Sequence, residues 1–128
     1  LPKWRKEVTK QAALAWRGKP PLDQPLLVVM TFTLPKPASA PKTRTTYPDR
    51  KPDGSKLLRA VEDALTDAGV WADDARGIDL IARKRYPNEG GGALPSPGVV
   101  VHVFDATRFE SDVFELGAEQ PVQLELVA

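Results

Sequence analysis

KPDGSKLLRAVEDALTDAGVWADD, residues 51–74, decides how this chain is organised. Leu57, Leu58, Val61, Ala64, Leu65 and Ala68 recur at three- and four-residue steps. That spacing lines one side of a 3.6-residue period and predicts an amphipathic helix over 56–68. Ser55 stands where an N-cap is expected and Gly69 supplies the stop. Arg59 and Asp63, four residues apart, can pair on the outer face. The remaining acids lie outside the helix: Asp53 before it, Asp73 and Asp74 after it. Carboxylates drawn from both ends of one helix are hard oxygen donors, the kind a magnesium-type ion takes. Asp53 and Asp74 share one cation if the strand that follows packs beside the start of the helix. Aspartates also favour turns and helix starts for local reasons, so helix electrostatics and turn chemistry remain the plainer reading of the same positions.

Upstream, residues 35–52 hold five prolines together with Lys36, Lys42, Arg44, Arg50 and Lys51. Proline at that density predicts a loop, and a mobile one. Tyr47 among the cations suits nucleic-acid contact, where stacking joins phosphate neutralisation; a merely solvated loop has the same composition. Acid for metal beside base for phosphate points to an enzyme acting on nucleic acid.

Further out, Trp4, Val8, Ala12 and Ala15 predict a helix over 3–17, stopped by Gly18. Residues 26–34 form a strand fenced by prolines, and the unbroken run from Leu26 to Met30 implies burial on both faces. Residues 77–86 predict a strand with Ile78, Leu80 and Ala82 alternating against polar neighbours. Three consecutive glycines make 88–97 a flexible turn, and 99–104 and 121–127 read as two more strands. His102 sits between two valines and reads as structural, and Trp4, Trp16 and Trp71 read as packing residues. No nucleophilic triad, phosphate-cradling glycine loop or zinc pattern is present.

At 128 residues with 41% hydrophobic content, the chain suits one domain. Absence of cysteine excludes disulfides and thiolate metal sites and fits a reducing cytosol. No apolar run approaches the ~20 residues that span a bilayer. Leu1 in place of Met implies a natural start further upstream. The net charge of +1 conceals segregation: residues 1–19 and 36–59 each carry +5, and residues 105–128 carry −5. A basic face for a polyanion and an acidic extension directed elsewhere follow from that asymmetry.

Asp53, Leu57, Arg59-Ala60-Val61, Asp63-Ala64-Leu65, Ala68-Gly69-Val70-Trp71 and Asp73-Asp74 closely resemble the RusA family of Holliday-junction resolvases. The basic segment before them and Arg83-Lys84-Arg85 after them agree as well. The resemblance implies a homodimeric single domain of mixed α/β fold, bacterial or phage-encoded and cytoplasmic, with a family strand upstream of Leu1. It places the endonuclease domain at 1–105 and leaves 106–128 as an acidic extension. It implies a junction-cutting endonuclease of recombination and repair that uses magnesium or manganese and acts on branched DNA. Carried over by position, Asp53 and Asp74 match metal-binding aspartates, and Arg59 falls at the catalytic lysine. Lys36, Lys42, Arg44, Arg50, Lys51 and Lys56 would grip phosphates. Ser55 falls where the family has a second metal-binding aspartate, and a hydroxyl is a far weaker magnesium ligand. Either Asp73 or Asp63 compensates, or the chain binds junctions without efficient cutting. A general structure-selective nuclease is a third reading.

Overall fold

The computed structural model describes residues 2–108 and 122–128. Glu110, Asp112, Glu115 and Glu119 of the acidic extension lie outside the described residues. Helix α1 (Pro2–Ala15) turns Val8 and Ala12 inward, and Gly18 follows with a φ of 76°. Trp16 is buried just beyond it, its indole N–H donating to the Pro20 carbonyl at 2.9 Å.

Strand β1 (Leu26–Thr33) is buried along its whole length. Its neighbours explain why. It pairs in parallel with β2 (Gly77–Arg85) and antiparallel with β3 (Gly98–Asp105), which in turn pairs antiparallel with β4 (Val122–Val127). The sheet order is β2-β1-β3-β4. Leu26, Val28, Met30 and Phe32 join the main core with α1 and α2 (Gly54–Asp67). Leu27 and Val29 point the other way, onto Phe104, Ile81 and Ala106. Burial on both faces of this strand is thus observed, and the fold is a mixed α/β sheet with its helices on one face.

Helix α2 runs in the crossover between β1 and β2, as parallel neighbours require. Leu57, Val61, Ala64 and Leu65 are buried, with Leu58 and Ala68 packed at the margin. The helix opens two residues earlier than the sequence suggests. Asp53 is the N-cap and Ser55 is an exposed residue of the first turn, not the cap.

Strand β2 also departs from expectation. Ile78 and Leu80 are exposed, and Ile81 is the residue that packs inward, opposite Val29. Among the described residues β2 is an outer strand of the sheet, with no strand on its far side. At the other edge, Gly98 lets the chain end come close: a Cβ there would lie 2.5 Å from the Ala128 carbonyl oxygen. That carbonyl accepts from the Val99 N–H at 2.7 Å. No helix of the described residues is long and apolar enough to cross a membrane.

Candidate active site

Three local devices place the aspartates that follow α2. Trp71 is buried, and its indole N–H donates to Thr66 Oγ1 at 2.8 Å, tying the segment back to the helix. Leu22 bridges beside Trp71: its N–H donates to the Val70 carbonyl, and its carbonyl accepts the Ala72 N–H. Asp23 then holds Arg76 in an ion pair at 2.6 Å. Between these anchors, Asp73 caps the short 3-10 turn Asp74–Arg76. Its Oδ1 accepts the Ala75 N–H at 2.8 Å, a bond that lowers its pKa. Asp73 is therefore engaged by its own backbone, whereas Asp74 faces α2.

Asp74 meets α2 through the side chain of Arg59, in the second turn of the helix. Its Oδ2 lies 3.9 Å from Arg59 Nη1, and Arg59 Nε lies 3.5 Å from Asp63 Oδ1, as the four-residue spacing predicts. Glu62 is buried on the same helix. Burial raises its pKa first, and the Asp74 charge raises it further. Asp53 stands at the N-cap, about 9 Å of helix rise before Arg59. Its carboxylate makes no capping hydrogen bond and lies 4.0 Å from Lys56 Nζ.

The structure thus offers, as a candidate site, two aspartates on one helix-turn unit, each facing a long, exposed cationic side chain. No group of three metal-ligating side chains forms among the described residues. The donor set still suits magnesium, which keeps several waters and is held by one or two carboxylates together with substrate phosphates. Ser55 adds only a hydroxyl.

The basic loop turns out to be pinned at both ends. Lys36 is mostly covered, ion-paired to Glu89 at 2.8 Å and donating to the Arg44 carbonyl at 3.1 Å. Glu89 in turn accepts the Thr46 N–H at 2.8 Å. Lys36 thus organises the loop from within. Lys42, Arg44, Arg50 and Lys51 remain exposed, as does Tyr47, with the Arg85 guanidinium 5.6 Å from its ring. At the far end, Lys84 Nζ donates to the carbonyls of Arg50 at 2.8 Å and Pro52 at 3.0 Å.

Glu62, Glu89 and Lys84 were not singled out as site residues in the sequence. Glu62 offered one clue, lying four residues after Leu58 at the edge of the apolar stripe. The glycine turn is likewise built and not loose. Gly90, Gly91 and Gly92 all have positive φ, and a Cβ on Gly91 would strike the Arg85 guanidinium.

A basic loop feeding a helix flanked by aspartates, on a mixed sheet, is an arrangement that suits an enzyme cutting phosphodiesters of nucleic acid. The family comparison agrees. Endodeoxyribonuclease RusA matches residues 1–93, and the chain belongs to that family. The family consists of endonucleases that resolve branched DNA junctions, generally with a divalent metal. No curated protein and no solved structure matches the chain.

Proposed function

We propose that this protein is a divalent-metal-dependent endonuclease that cuts four-way DNA junctions as a homodimer, in recombination and repair. One observation carries the reading: Asp74 is held against Arg59 on the helix whose N-cap, Asp53, leaves its carboxylate outside the helix. Asp53 and Asp74 would hold magnesium or manganese, with Asp73 beside them. A bound divalent ion would supply an activated water and Lewis acidity toward the phosphodiester.

The chain's own residues do the rest. Arg59 and Lys56 compensate the aspartates in the metal-free protein, and their exposed heads would be free to reach phosphate with a divalent ion bound. The Arg59 guanidinium offers a planar fork to charge building on the scissile group. It stays charged throughout and so stabilises without donating a proton. Lys42, Arg44, Arg50 and Lys51 grip flanking phosphates. Two symmetric cuts across a four-way junction call for two symmetric sites, which a homodimer supplies.

Ser55 supports a second reading, a dimer that binds junctions but cuts poorly. One assay separates the two: the purified protein with magnesium or manganese and labelled four-way, flap and linear DNAs. Metal-dependent, paired cuts confined to the four-way DNA support the proposal. Binding without cutting supports the second reading, and cutting of flaps in preference to junctions points to a general nuclease. In the same assay Asp74→Asn should reduce cutting at least ~100-fold while junction affinity changes little, because only the reacting geometry is lost. Undiminished cutting by that variant would remove Asp74 from the site.

A further inference from the structure

Lys84 is the last helix-side residue of β2, opposite Phe32 in the register and so on the face that carries the main core. At that position an ammonium group must find acceptors, and it finds two backbone carbonyls in one turn of chain, those of Arg50 and Pro52. The residue after Pro52 is Asp53. On its other side, the Asp53 carbonyl accepts the N–H groups of Lys56 and Leu57, each at 3.1 Å, which opens α2. The Asp53 backbone is thereby fixed from both directions.

Its side chain behaves unlike that of an ordinary cap. An N-cap aspartate normally accepts a first-turn N–H. Asp53 does not, and its carboxylate is exposed. The carboxylate of this fixed cap leaves the first-turn N–H groups alone and faces only the exposed Lys56 ammonium, at 4.0 Å, which leaves it open to a ligand from solvent.

We propose that Lys84 is a positioning residue that sets Asp53 for metal by clamping the two carbonyls ahead of it. This rests on the reading of Asp53 as a metal ligand. Lys84 touches neither the metal nor the scissile phosphate. It removes the freedom of the loop exit, so that the carboxylate does not have to be ordered when the ion binds.

The test uses the full chain as Lys84→Met, Lys84→Gln and Lys84→Arg, beside Asp53→Asn. Metal-free protein is titrated with Mn2+ by electron paramagnetic resonance without DNA. Trypsin cleavage after Arg50 and the magnesium dependence of junction cutting are then measured. Lys84→Met should weaken Mn2+ binding about 10-fold, the lower end for loss of an outer support of a metal ligand. The magnesium needed for half-maximal cutting should rise in parallel, and cutting should return at saturating metal. Cleavage after Arg50 should quicken. Lys84→Arg, which keeps donors for both carbonyls, should restore most of the affinity. If Lys84→Met does not fold, Lys84→Gln, which keeps one donor, should fall between the parent and that loss.

Unchanged Mn2+ affinity in a folded Lys84 variant would overturn the proposal, even if trypsin cuts faster, since Lys84 would then anchor the loop alone. Parent-like Mn2+ affinity and cutting in Asp53→Asn would instead overturn the metal reading of Asp53. That outcome is distinguishable because it leaves the Lys84 clamp intact.

Discussion

Ser55 is the residue at which the proposed activity is most directly tested. It is exposed in the first turn of α2, two positions after Asp53. A carboxylate there would add a third hard donor and sit where the helix dipole favours negative charge. Ser55→Asp should therefore lower the magnesium needed for half-maximal cutting by about 10-fold, on the scale by which single groups around a metal tune its affinity. The same change should leave the melting temperature nearly unchanged. A magnesium titration of both proteins on one junction checks it, and an unchanged curve would mean that Asp53 and Asp74 suffice. Arg59 makes the complementary point: its pairing with Asp63 was legible from a four-residue spacing, whereas its approach to Asp74 needed the fold.

At the scale of elements, the loop before α2 shows where sequence reasoning stops. Proline content correctly marks 35–52 as a loop, but composition cannot say that Lys36 is spent on Glu89 or that Lys84 holds its exit. Both contacts join segments distant in sequence, and no local pattern records them. The helix start failed for a different reason. Asp53 and Ser55 are both good caps, and the fold takes Asp53, directly after the Pro52 carbonyl that Lys84 holds. Apolar periodicity, by contrast, found α2, β1 and β3, because burial acts on side chains already spaced for it.

Glu89 gives the loop a pH dependence. The Lys36 hydrogen bond, helped by the Thr46 N–H, holds its carboxyl below the ordinary 4.5. A folded value below the unfolded one contributes stability above about pH 4.5, and that contribution fades as pH falls through the folded value. Glu89→Gln should loosen the loop at pH 7, seen as faster trypsin cleavage after Lys42 or Arg44. As pH falls through that lowered folded value, parent and variant should converge when an acid protease replaces trypsin. Because Lys36 is committed, the phosphate grip falls to the exposed cations. Changing Lys42 and Arg44 together to Ala should flatten the log–log salt dependence of duplex binding by ~1.8, at ~0.9 per phosphate contact. An unchanged slope would shift the grip to α1.

At the scale of the whole molecule, charge and core are divided along the chain. The acidic end contributes a strand: β4 closes the sheet edge beside β3, with Leu124 and Leu126 in the main core and Glu125 facing His102 at 3.6 Å. Alternation in 121–127 foretold such a strand, and its place on the chain's own sheet follows from the register Val103↔Leu124 and Val101↔Leu126. Truncating either leucine to Ala should cost about 2–5 kcal/mol, the range for buried Leu→Ala changes. Typical total stability is only ~5–15 kcal/mol, so loss of the whole strand removes a large share of it. Deleting residues 122–128 should sharply lower the melting temperature. It should also expose the β3 edge to pairing with other chains. Junction affinity per folded molecule should change little, since β4 lies at the opposite edge of the sheet from β2, whose end holds the basic loop through Lys84. Melting curves, sedimentation and salt-matched binding of the truncated protein test this together. A stable truncation with altered junction affinity would instead place the acidic end in the DNA-binding apparatus, acting on the grip through its charge and not on the fold through its leucines.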